Sequence, residues 1–474
     1  MKILLLIPPF TQLNTSYPSI SYIKGFLNTL NISSFQVDLS LEVILDIFSQ
    51  DGLKNIFSTI EKNEPELSEN AHRIFTQRKK YINTINDVMC FLQNKNPMLA
   101  HTINKGGFLP EASRFQVYEN YHLEFGTLGI QDMARHLCTL YLEDLGDIIT
   151  EAIDPNFGFS RYAERISRTA THFEPLAKSL KSKNSFVSQI MVKILKKHIN
   201  QVKPDMVCIS IPFPGNVFGA FKCGQFIKAN YPDIHIVMGG GYVNTELRSV
   251  YDPNVFDYTD YITLDDGEAP LQHLIEFLQN TRPKSLLKRT FLRENRDVKY
   301  IDGSKDFDLP QRDIGTPDYT GLQLDKYISV LEVLNPMHRL WSDGRWNKLT
   351  LAHGCYWGKC SFCDITLDYI KRYEPLSAAQ LCDRIETIKS QTGQNGFHFV
   401  DEAAPPALLR DLSIEIIRRN LNVVWWTNIR FEKSFTPDLC KLMSIAGCVA
   451  ISGGREVESD RMLGLMKKGV AMAQ

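Results

Sequence analysis

The stretch His353-Gly-Cys-Tyr-Trp-Gly-Lys-Cys-Ser-Phe-Cys-Asp364 decides how the rest of the chain is read. Cys355, Cys360 and Cys363 fall within nine positions, spaced C-x4-C-x2-C. Ahead of them Leu349–Leu351 reads as the end of a strand, which puts the thiols on the loop that leaves it. Thiolates gathered so closely suit a soft metal or an iron–sulfur cluster. A tetrahedral zinc site needs a fourth cysteine or histidine at comparable spacing. The next candidates are Cys382, inside a helical pattern, and His398, on the following strand. Three ligands on a four-iron cluster leave one iron open to a substrate or cofactor. A structural zinc knuckle and three unrelated buried thiols are the alternatives.

Downstream, strand and helix patterns alternate. The helix Ser377–Lys389 has Ser377 as its N-cap. Strand Phe397–Val400 ends in Asp401-Glu402, strand Val423–Trp426 in Thr427-Asn428-Ile429-Arg430, and strand Val449–Ser452 in Gly453-Gly454-Arg455-Glu456. These are four β/α units with polar groups at each carboxyl-end loop, where β/α barrels do chemistry.

Upstream, Lys2–Ile7 is a continuous aliphatic run, as expected of a parallel strand covered on both faces. Helix Ser19–Leu30 and strand Phe35–Leu39 complete a βαβ start. Residues 43–201 interrupt it with helical patterns and read as an insertion. Alternation then resumes with strands Met206–Ile211, Ile234–Met238 and Tyr261–Leu264. The fold class is α/β: a doubly wound, flavodoxin-like open sheet over 1–285, a connector over 286–346, and a partial barrel over 347–474. Ligands of doubly wound sheets bind outside the carboxyl ends of the strands. There lie the loops Phe213-Pro214-Gly215-Asn216, Gly239-Gly240-Gly241-Tyr242 and Asp265–Glu268.

Composition sets bounds. A net charge of −1 gives no support for a nucleic-acid or membrane surface. No stretch of eighteen apolar residues occurs in the sequence, so no span is expected. Ten cysteines, three clustered and the rest scattered, suit reduced thiols and a cytoplasmic protein.

The cysteine loop resembles that of radical S-adenosylmethionine (SAM) enzymes, whose usual spacing is C-x3-C-x2-C with an aromatic before the last cysteine. Phe362 fills the aromatic place, and the first interval is one residue longer here. The resemblance implies that Cys355, Cys360 and Cys363 hold a [4Fe-4S] cluster. It implies that Phe362 packs near the SAM adenine and that Glu456 bonds the ribose hydroxyls. Asp401, Glu402, Asn428 and Arg430 are candidates for the SAM amino and carboxylate groups.

The segments before it resemble the cobalamin-binding domain that precedes many radical SAM domains. That implies a corrin against Phe213, Gly215, Asn216, Gly239, Gly240, Gly241 and Tyr242. The loop Pro8–Tyr17 has no histidine, so the D-x-H-x-x-G pattern of many such domains is absent and no histidine is expected below the cobalt. The implied activity is reductive SAM cleavage with cobalamin and, as one outcome, methylation of an unactivated carbon. Cyclisation or rearrangement is another outcome, and a non-catalytic cobalamin or cluster binder is the contrasting reading. Such chemistry draws electrons from a donor such as flavodoxin or ferredoxin and acts on a small molecule or peptide. Family barrels have six β/α units, so a chain ending after the fourth is expected to be truncated.

Overall fold

The computed structural model describes all residues except 116–128, 160–163, 165–171, 183, 333–335, 343, 455 and 474. Thirteen strands form two main sheets and one short ladder among these residues. The first sheet holds β1 (Lys2–Ile7), β2 (Ser33–Asp38), β3 (Met206–Ser210), β4 (His235–Gly239) and β5 (Tyr261–Thr263). β6 (Thr290–Glu294) and β7 (Asp297–Ile301) extend it. Its order is β2-β1-β3-β4-β5-β6-β7; the first five strands run parallel, and the last two join antiparallel. The reversal between β1 and β3 is the switch point of a flavodoxin-like sheet. β1 is an interior strand, and Ile3 to Ile7 are at most 1% exposed, as a continuous aliphatic run requires when both faces are covered. Each such side chain contributes ~1.5–3 kcal/mol of burial before entropy is counted.

The stretch read as a connector therefore contributes two strands, which had not been expected. The insertion begins earlier too. Helix Leu39–Ile47 starts directly after β2, because the Asp38 carboxylate accepts the Leu41 amide at 3.0 Å and caps it. The long helices Ile130–Ala152 and Phe186–Val202 pack their apolar faces into the same core as Leu4 and Leu6 of β1. Part of the insertion lies outside the described residues.

The second sheet holds β8 (Asn347–Leu349), β11 (Gly396–Phe399), β12 (Val424–Asn428) and β13 (Cys448–Ser452), all parallel, in the order β13-β12-β11-β8. Leu349, Phe397, Phe399 and Trp425 pack against the crossover helices Ala378–Thr392 and Pro406–Arg418. The first of these helices opens on a capping box between Ser377 and Gln380. Between β8 and β11, β9 (Ala352–His353) pairs antiparallel with β10 (Glu374–Pro375) and closes off residues 354–373 as a lobe.

The carboxyl ends of the two sheets meet. Tyr22 Oη lies 2.9 Å from Thr350 Oγ1 and accepts the Thr350 amide at 2.7 Å. Asp266, in the loop after β5, accepts from Arg372 at 2.6 Å and lies 3.5 Å from His353 Nε2. No helix among the described residues is long and apolar enough to cross a membrane.

Candidate functional site

The cysteine lobe is positioned from three sides. Below it, the Asp401 carboxylate accepts the Leu351 amide at 2.9 and 3.2 Å and the Ala352 amide at 2.8 Å, fixing the strand that feeds the loop. Within it, Gly354 adopts φ +73°, and a Cβ there would lie 2.1 Å from the Arg372 carbonyl oxygen. Across from it, the Ser361 amide donates to Met466 O at 2.9 Å and the Trp357 indole to Lys467 O at 2.9 Å. Arg430 supports that seam: its guanidinium sits 4.0 Å from the Trp357 ring centroid and donates to the Lys468 carbonyl.

Gly469 closes the seam. Its φ is +74°, and a Cβ would fall 2.0 Å from the Trp357 ring. Gly469→Ala is therefore expected to displace the indole from Lys467, red-shift tryptophan emission and cost ~1–3 kcal/mol. Unchanged emission and an unchanged melting temperature would exclude this seam in solution.

Cys355 and Cys360 are half-buried and Cys363 is exposed, so none of the three belongs to a core. Burial raises the Cys363 thiol, and the negative charge of Cys360 and Cys355 raises it further. Such a donor set fits a thiolate-bound cluster. As placed, no group of three or more His, Cys, Asp or Glu among the described residues is gathered closely enough to hold a metal ion.

The SAM candidates divide. Phe362 is 49% exposed and lies beneath Lys468, whose Nζ is 5.4 Å from the ring centroid and 2.6 Å from Glu456 Oε2. Glu402 is exposed and Asn428 half-buried on the same rim; Arg455 lies outside the described residues. Asp401 and Arg430, expected to reach SAM directly, instead face inward at 3% and 5% exposure. Asp401 bonds to backbone amides, and Arg430 to the Lys468 carbonyl and, at 3.1 Å, to Glu432. Lys468 is the member that sequence reasoning missed. Its only signal was a cation two residues after Met466, in a run read as leading to a further helix.

The cobalamin candidates also divide. A cavity of about 520 Å³ at the switch point is lined by Thr11, Gln12, Asn14, Glu143, Phe213 and Gly215, among others. A second, of about 290 Å³, enters the sheet between the ends of β1, β3, β4 and β5, with Tyr22, Ser210, Gly239, Gly240, Asp266 and Glu268 in its wall. Burial pushes the Glu268 carboxyl up to about 7. Asn216 lines neither cavity: it is fully buried and donates to the Pro8 carbonyl at 2.7 Å. Gly241 and Tyr242, read as loop, begin the short helix Gly241–Glu246. Gly240 has φ +110°, and a Cβ there would meet Ile211 backbone atoms at 2.9 Å.

No protein-family model matches the chain. An uncharacterized methyltransferase of Pyrococcus horikoshii is 23% identical over 285 residues, covering 59% of this chain and 58% of the relative. Among solved structures, the cobalamin-dependent SAM radical enzyme OxsB with aqua-cobalamin bound is 17% identical, with a TM-score of 0.47 over 60% of this chain and 40% of that one. The radical SAM methyltransferase TsrM from Kitasatospora setae, with cobalamin and a [4Fe-4S] cluster bound, is 18% identical, with a TM-score of 0.43 over 59% and 56%. The chain resembles cobalamin-dependent radical SAM enzymes. It is a mixed α/β protein with a largely parallel sheet. It spans little more than half the length of the methyltransferase relative.

Proposed function

We propose that the chain carries a radical SAM centre at the meeting edge of its two sheets, with cobalamin against the first sheet. One observation carries this: three cysteines sit outside both cores, on a lobe tied down beside Phe362, Lys468 and Glu456. In this reading Cys355, Cys360 and Cys363 hold the cluster, and Phe362 and Glu456 flank the adenosine of SAM. Lys468 holds the Glu456 carboxylate ready to accept ribose hydroxyls. Glu402 and Asn428 are the remaining contacts for the SAM amino and carboxylate groups. Asp401 and Arg430 keep the lobe in place, and Trp357 and Tyr356 screen it from water. When bound, the cluster supplies the electron that cleaves SAM reductively, and cobalamin supplies a carrier for a methyl group.

The two cavities at the first sheet's carboxyl edge favour cobalamin there, with Phe213 and Gly215 toward the larger and Gly239 and Gly240 toward the smaller. Methylation of an unactivated carbon in a small molecule or peptide is the reaction we favour, with electrons from a flavodoxin or ferredoxin. The contrasting reading, a binder of cobalamin or a cluster without turnover, makes the opposite prediction in one assay. Chain reconstituted without oxygen should hold about four irons and about one cobalt and release 5′-deoxyadenosine from SAM under a low-potential reductant. Iron and cobalt without deoxyadenosine favour the binder; iron without cobalt removes methyl carriage; zinc in place of iron sinks the proposal.

A further inference from the structure

Away from the cysteine lobe, the second sheet carries a row of polar side chains on the face opposite its helices. Lys348, His398 and Trp426 are register partners across β8, β11 and β12, and Ala450 of β13 completes the row. Their strand neighbours Leu349, Phe397, Phe399 and Trp425 point into the helix-covered core, so alternation turns this row the other way. Lys348 Nζ lies 2.9 Å from His398 Nδ1. The imidazole stacks on the Trp426 indole, with ring centroids 3.5 Å apart and planes 7° from parallel.

All three side chains are more than nine-tenths buried, yet the acceptor used within the row, His398 Nδ1, is taken by Lys348. With lysine donating to Nδ1, the imidazole hydrogen sits on Nε2. Both His398 Nε2 and Trp426 Nε1 are buried without a hydrogen-bond partner. Among the described residues no carboxylate pairs with Lys348, and burial alone lowers its ammonium to about 7. Buried polar groups in folded proteins are nearly always paired. Here two neighbouring N–H donors and one cation share a shortage of the same kind: negative oxygen.

We propose that this row is a binding site for a carboxylate group. A carboxylate offers only acceptors, two oxygens wide, and supplies the charge that Lys348 lacks. The approach is from the carboxyl edge. Thr350, Val400, Asn428 and Ser452, one pleat nearer that edge, are half-buried. The row thus lies ~7 Å deeper than those four residues, and Ala450 leaves the flank beside Trp426 narrow in side chain. Assigning the carboxylate to the substrate rests on the radical SAM reading. Its binding does not, since neither iron nor SAM takes part.

The test is a titration of the full chain with benzoate and acetate against benzamide and acetamide, at fixed ionic strength, by thermal shift and tryptophan emission. The carboxylates should bind at least tenfold more tightly than their amides. Trp426→Phe keeps the stacked ring and removes one N–H, and should weaken benzoate three- to tenfold. Lys348→Met should abolish the preference for carboxylate over amide; if it does not fold, Trp426→Phe decides alone. Equal responses to acid and amide, or no response because buried water satisfies the donors, would overturn the site. So would Trp426→Phe binding benzoate as the parent does. Iron content and deoxyadenosine release are measured separately, so this site and the radical reading fail independently.

Discussion

Changing Cys355, Cys360 and Cys363 together to alanine is expected to abolish iron retention while moving the unfolding midpoint by only a few degrees. The reason is where the thiols stand. Two are half-buried, one is exposed, and none joins either core. Removing a partly solvated sulfur leaves no closed cavity, so each substitution stays near the ~0.5 kcal/mol typical of surface positions. Cys382 is the internal control. It is fully buried among Leu381, Ile385 and Ile388, and Cys382→Ala should cost ~1 kcal/mol or more without touching iron. Iron analysis after anaerobic reconstitution, beside thermal unfolding, checks both halves. Iron retained in the triple variant would refute the ligand assignment. A collapse of its melting temperature would mean the cysteines serve packing instead.

Asp401→Ala should behave in the opposite way, damaging the fold and the lobe at once. The carboxylate is 3% exposed and serves the amides of both Leu351 and Ala352. Alanine strands two buried donors, at ~1–3 kcal/mol each, and loosens the strand that leads into Cys355. Hydrogen exchange at those two amides should quicken, and reconstituted iron should fall.

The pH dependence has a definite sign. Burial outweighs the amide bonds and raises the folded carboxyl to about 7, against ~3.9 in an unfolded chain. The folded state thus holds a proton that the unfolded state releases. The resulting stability is complete below about pH 4 and is lost as pH rises through 7. Because Asp38, Asp144 and Glu268 are raised in the same direction, the measurement is the difference from Asp401→Asn, which cannot titrate. The parent's stability relative to that variant should fall between pH 5 and pH 8. A difference flat across that window would rule out the proton on Asp401.

The parts of this chain that were legible in sequence were those written locally. The three cysteines lie on one loop, and each aliphatic run of the parallel strands is bounded by its own turn. The hairpin β6–β7 went unread because its turn, Asn295-Arg296, lacks glycine although both residues have positive φ, 50° and 74°. Asp401 and Arg430 were legible as polar groups at strand ends, but not the inward bonds they make. A strand end fixes where a side chain starts. Where it points was decided by Leu351 and Lys468, partners 50 and 38 positions away. The pairing of Lys348 with His398 had no signal until register set them side by side.

The zipper of β9 against β10 bears on the unusual spacing of the cysteines. Because Ala352–His353 and Glu374–Pro375 hold both ends of the lobe together, the arc between them can lengthen without moving either anchor. Loop-closure entropy grows only with the logarithm of length, so one added residue in an arc of this size costs less than ~0.1 kcal/mol. The seam at Met466 and Lys467 grips the arc near its middle and takes up the slack there. Cysteine intervals in such a lobe are free to drift by single insertions, and the interval between its first two cysteines is a poor ruler of kinship.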